Sequence, residues 1–111
     1  MMSKTGLELL ELSAKAAGLE PVCWNAGLDP CSGGPGLILR SGRIWNPLED
    51  DGDALRLAVK LEIEVRNFNG KSHAGKQGNF WCTEGWFPEG DSYAATRRAI
   101  VRAAAAIEAA K

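Results

Sequence analysis

The chain is poor in the residues that most chemistry needs: it has one histidine, three cysteines, no surplus of charge and no long apolar run. The 13 Lys and Arg are offset by 14 Asp and Glu, so no overall positive field draws a phosphate backbone or an anionic lipid surface. Binding to nucleic acid is thereby disfavoured but not removed. No apolar stretch approaches the ~20 residues that span a bilayer. The start, Met1 to Gly6, runs into a segment carrying Glu8 and Glu11, which a secretory signal would not tolerate. Cys23, Cys31 and Cys82 are odd in number and widely spaced, which reads as reduced thiols in a reducing compartment and not as a disulfide framework. A cytoplasmic protein without a membrane partner is the expectation.

The same scarcity weakens three motifs. Gly70-Lys71-Ser72-His73-Ala74-Gly75-Lys76 matches the phosphate-binding loop through its lysine, but Gln77 stands where a Ser or Thr would hold magnesium. An aromatic strand is expected next, where such a loop needs a helix N-terminus to cradle phosphate. The stretch is therefore read as a flexible hairpin loop kept soluble by its lysines. The three thiols and His73 lack the two-to-four-residue ligand spacing of structural zinc sites, so no metal is expected. His73 falls in the polar stretch 69–79, whereas catalytic geometry needs a rigid mount. The acidic group Glu49, Asp50, Asp51 and Asp53 lacks the ligand spacing of a calcium loop and reads as helix capping.

What is present is a fold. With 111 residues and 45% apolar side chains, the chain has the length and composition of one domain (1–111) that folds by itself. Thr5 and Glu8 have capping-box spacing, and Leu7, Leu10, Ala14 and Ala17 recur at helical intervals up to Gly18, predicting a helix over about 6–17. Residues 19–36 are dense in glycine and proline and read as loop, with Trp24 anchoring it to the core. Leu37–Arg40 and Arg43–Trp45 flank Ser41-Gly42, a turn that can join two short strands within the loop region 19–50. Ala54, Leu55, Ala58, Val59 and Leu61 cover most of a well-buried helix over about 52–61, with Arg56 and Lys60 facing water.

Ile63 and Val65 alternate with Glu62, Glu64 and Arg66, and residues 80–87 are aromatic and β-prone. The two segments are read as one hairpin over about 62–87. Asp91 or Ser92 caps a last helix over about 92–109, with Thr96, Ile100, Ala103 and Ile107 on one face and Arg97, Arg98, Arg102 and Glu108 on the other. The fold class is α+β, a small antiparallel sheet sandwiched or covered by three helices.

Two features could form an interaction surface. Trp81 and Trp86 fall on opposite faces of a regular strand, Phe80 siding with Trp86 and Phe87 with Trp81. Cover of both faces by the helices and the long loop is the reading taken; the alternative is an exposed aromatic patch that binds a partner. Arg97, Arg98 and Arg102 form a basic ridge that reads as water-facing, with nucleic-acid contact as the alternative.

The stretch Trp45-Asn46-Pro47-Leu48-Glu49-Asp50-Asp51-Gly52-Asp53-Ala54-Leu55-Arg56-Leu57-Ala58-Val59-Lys60-Leu61, with the later Ala95-Thr96-Arg97-Arg98-Ala99-Ile100-Val101-Arg102-Ala103-Ala104-Ala105, resembles small proteins of tailed bacteriophages and prophages, in particular the phage ABA-sandwich domain. The resemblance covers most of the chain from about residue 45 and, more loosely, Leu7 to Ala17. It implies helices enclosing a small sheet and carries no activity with it. The function expected is a non-enzymatic phage accessory protein without cofactor or small-molecule substrate, acting in the host cytoplasm. Its partner would be a host or phage protein, or a second copy of itself. The alternative is a weak nucleic-acid binder using the terminal arginines and the aromatic strand.

Overall fold

The computed structural model describes residues 6–25, 35–76, 79–86 and 90–111. Thr5, Cys31, Gln77 and Phe87, and the glycines and prolines between 26 and 34, lie outside them. The elements run α1 (Gly6–Ala16), β1 (Pro21–Asn25), β2 (Gly36–Leu39), β3 (Ile44–Trp45), α2 (Asp51–Leu61), β4 (Glu64–Phe68), β5 (Lys71–Lys76), β6 (Asn79–Gly85) and α3 (Ser92–Ala109). The α+β class holds, with two three-stranded antiparallel sheets, ordered β1-β2-β3 and β4-β5-β6. Among the described residues no helix is long and apolar enough to cross a membrane.

The helix boundaries follow local chemistry. Gly18 takes a positive φ (76°) after α1, and the Leu19 amide returns to the Ala14 carbonyl. Asp50 caps α2, its side chain accepting from the Asp53 amide at 2.8 Å. At the other end Glu62 is left-handed (φ 57°), with its amide on the Val59 carbonyl and that of Ile63 on the Ala58 carbonyl. This is a Schellman turn made without glycine. Asp91 caps α3 by accepting from the amides of Tyr93 and Ala94.

Helix α3 organises the core. It packs on α1 and α2 on one side and on β5 and β6 on the other. Its buried residues, Ala95, Ala99, Ile100, Val101, Ala103, Ala104 and Ala105, therefore spread beyond the single stripe expected of it. Small side chains let both neighbours approach. The main cluster joins Ala99, Ile100, Val101, Ala103 and Ala104 to Leu10 and Ala14 of α1, Leu57 and Ala58 of α2, and Leu37, Leu39 and Trp45 of the first sheet.

Several expectations need correction. Residues 21–25 form β1, paired with β2, where a loop was expected; a proline is tolerated there because it is the first residue of an edge strand. Trp24 on that strand is exposed and does not anchor the core. The hairpin of β2 and β3 turns through residues 40–42, with Gly42 at φ 90° and the Leu39 amide on the Arg43 carbonyl. Residues 71–76, read as a flexible loop, are the central strand of the second sheet. Asn69 (φ 54°) and Gly70 (φ 72°) supply two consecutive left-handed residues, the requirement of a two-residue hairpin turn, so β4 pairs with β5 and not directly with β6.

Another correction concerns α2. Its buried residues are Asp53, Ala54, Leu57 and Ala58, while Leu55 and Val59 stand 64% and 70% exposed. Among the described residues the helix packs chiefly on α3, and its apolar arc is wider than that contact covers.

Candidate functional site

The second sheet has two unlike faces. Ser72 and Ala74 of β5 and Glu84 of β6 turn toward α3. Thr96 Oγ1 of α3 lies within hydrogen-bond distance of Ser72 Oγ (2.9 Å), Asn67 Oδ1 (3.0 Å) and the Ser92 carbonyl (2.8 Å), tying β4 and β5 to the helix start. Glu84 is paired with both Arg98 (3.2 Å) and Arg102 of α3, and Arg102 also reaches the Thr83 carbonyl. Half-buried Cys82 sits beside them. Burial raises its thiol pKa; Arg102 works against that shift and Glu84 with it.

The three arginines therefore do not form a common water-facing ridge. The Arg97 side chain is only 14% exposed, with Nε on the Leu48 carbonyl (2.8 Å) and the guanidinium paired with Asp51, so it joins α3 to the entry of α2. Arg98 and Arg102 are about half-exposed, but their charge is partly met by one carboxylate.

A second charged knot lies between β3 and α2. Buried Asp53 accepts from Arg43 (2.6 Å) and Arg56 (2.7 Å) through Oδ1, and from the Asn46 amide (3.0 Å) through Oδ2. Beside it opens a cleft of about 330 Å³ with Leu39, Trp45 and Leu57 below and Arg43, Arg56 and Lys60 at its rim. Two of those cations are held by Asp53, which makes this knot a clamp between strand and helix more than a site open to an anion.

Among the described residues no helix covers the other face of the second sheet. Gly75 leaves room there for the Trp81 ring: a Cβ would come 2.5 Å from it. The Arg66 guanidinium lies 5.2 Å from the Trp81 centroid. Phe68 stacks on His73 with centroids 4.8 Å apart, and His73 Nδ1 is 3.0 Å from Thr83 Oγ1. Phe68 and Trp81 are exposed, so the expectation that helices and loop cover both faces is replaced by an open aromatic face. Trp86 lies just beyond β6, its amide on the Gly70 carbonyl and its buried indole N–H without an acceptor among the described residues.

Around the edge of the sheet, between α2, β4 and the start of α3, lies an almost wholly apolar groove of about 370 Å³, lined by Leu55, Ala58, Val65, Tyr93 and Ile100. Tyr93 is 70% exposed. Reading the sequence missed Leu55, Val59, Val65, Phe68 and Tyr93 as surface residues. A signal existed in α2: apolar positions 54, 55, 57, 58, 59 and 61 wrap more of the helix than one packed face uses.

Among the described residues no three His, Cys, Asp or Glu side chains gather as metal ligands would. Compared with known proteins, the chain matches no family model, no curated protein and no solved structure.

Proposed function

We propose that the chain is a non-enzymatic protein-interaction module whose working surface wraps the outer edge of β4: the apolar groove on the helix side of the second sheet and the aromatic face around Trp81 on the other. One observation carries this reading. Leu55, Val65 and Tyr93 are exposed together around an apolar groove, although the chain has enough small and apolar residues to close a core elsewhere. Use as an interface gives such a patch a function; left bare it is an aggregation hazard. Support against turnover comes from how the buried or half-buried carboxylates are used: Asp53 and Glu84 are each engaged by two arginines. The resemblance to tailed-phage proteins supports a role as an accessory protein in the cytoplasm of a bacterial host.

The test is site-specific photocrosslinking in cells expressing the chain. A photoreactive residue at Leu55 or Tyr93 is expected to yield defined protein adducts, and one at Glu11 none. Absence of adducts from the groove positions would refute the reading.

A second reading rests on the aromatic face alone. Phe68, His73 and Trp81 share it with Arg66 and Lys71, a set that can stack single-stranded bases and meet their phosphates. It no longer draws on the terminal arginines, which are tied to Asp51 and Glu84. Anisotropy of a labelled oligothymidylate at low salt tests it: a shift lost in Trp81→Ala would support it, and no shift would remove it.

A further inference from the structure

We infer that the groove and the outer edge of β4 receive a second copy of the same chain, strand to strand, with Val65 opposite Val65. This rests on the interaction-module reading and names its partner.

The edges of the two sheets differ in how they are guarded. β1 begins with Pro21 and has a register shift between Pro21 and Cys23; β3 is two residues long; the pairing of β6 is shifted between Ala74 and Lys76. These are ordinary devices against strand addition. β4 has none of them: all five of its residues are exposed, its pairing with β5 is regular throughout, and no described strand lies on its outer side. Alternate residues of such a strand present amide and carbonyl outward, ready to bond another strand.

The residues of β4 select the occupant. Antiparallel pairing about a two-fold axis places one residue opposite its own copy, and the three choices at the charged end of the strand differ in electrostatics. With Arg66 at the axis two guanidiniums oppose each other; with Glu64 there, two carboxylates do. With Val65 at the axis, valine meets valine on the groove side. On the other face each Glu64 meets an Arg66 of the second copy, twice by symmetry. Glu64 and Arg66 already pair within one chain at 3.0 Å, so the dimer would hold four charges of alternating sign. Leu55 and Tyr93 line the same groove as Val65, and their equivalents in the second copy would close over the valine pair. A pair of β4 strands joins the two sheets into one of six strands, and an isologous contact of this kind closes on itself without forming fibres.

Sedimentation analysis from micromolar to millimolar concentration tests the inference, with circular dichroism to check folding. The wild-type chain is expected to dimerise reversibly. Arg66→Glu alone, or Glu64→Arg alone, brings like charges together and is expected to weaken the dimer by about tenfold or more. Both side chains are exposed, so the fold should survive. The double variant Glu64→Arg/Arg66→Glu is expected to recover the dimer, and an equimolar mixture of the two single variants to form the heterodimer. A wild-type chain that stays monomeric throughout overturns the inference, and leaves the interaction-module reading standing if Leu55 or Tyr93 crosslinks to a different protein. Dimers that the double variant fails to restore overturn it as well, because the contact then lies elsewhere or in another register.

Discussion

The two sheets are built alike in strand number and direction, yet one is closed and the other open. In the first, the middle strand β2 carries Leu37 and Leu39 into the core, and both edges are blunted by a proline, a register shift or extreme shortness. In the second, the middle strand contributes small residues, Ser72, Ala74 and Gly75, so that α3 and the Trp81 ring can lie directly on its two faces. The apolar bulk of that region sits at the margin, on Leu55, Val59, Val65, Phe68 and Tyr93, and is exposed. The middle strand of the first sheet thus spends its large side chains on stability, while Val22 and Trp24 on its edge strand β1 stay exposed. The second sheet keeps its own where a partner can reach them.

Substitutions in the two regions should separate these roles. The largest effect is expected for Leu37→Ala, which opens a cavity at a side chain 2% exposed and should remove about 2–5 kcal/mol in urea unfolding. If the loss is instead a few tenths, the first sheet is not the closed one. Gly75→Ala comes next. Its Cβ would meet the Trp81 ring at 2.5 Å and the Asn79 carbonyl at 2.9 Å, at a cost of about 1–3 kcal/mol and with a changed tryptophan emission. A silent Gly75→Ala would mean that Trp81 does not lie on β5.

A smaller effect depends on pH. Burial holds the Cys82 thiol above its usual range, so the unfolded chain ionises first as pH rises. Below the ordinary thiol value of about 8.5 this group leaves stability unchanged; as pH climbs past that value through the raised one, stability falls. Thermal unfolding in alkaline buffer should show that decline, and Cys82→Ala should flatten it. The smallest expected effect on stability is that of Leu55→Ser with Val59→Ser, within about 0.5 kcal/mol for the dilute monomer because both side chains are already in water. The same pair should lower association at high concentration, and a large loss of monomer stability would contradict the open side.

The three helices were legible in the sequence because their caps and spacing are local: Asp50, Asp91 and Gly18 act on the residues beside them. The class followed from the same signals. Strand β5 was not legible from alternation, since Lys71 to Lys76 contains no large apolar residue and instead matches a phosphate-loop pattern. The decisive sign was Asn69-Gly70, a hairpin turn hidden in a stretch read as loop. Of the candidate surface, Trp81 was foreseen, but the groove was not. Whether Leu55 and Val59 are covered depends on how far α3 and the first sheet extend around α2, a tertiary fact that no spacing encodes. The arginines were assigned to water for the same reason, as Glu84 and Asp51 reach them from distant elements.

Amide hydrogen exchange followed at low and high protein concentration tests the division most directly. Amides of β2 and α3 should exchange slowly at both, whereas the outward amides of β4 should exchange fast when dilute and slow markedly when concentrated. Protection of β4 equal to that of α3 in the most dilute sample, or exchange of β4 that ignores concentration, would contradict an open edge that waits for a second copy.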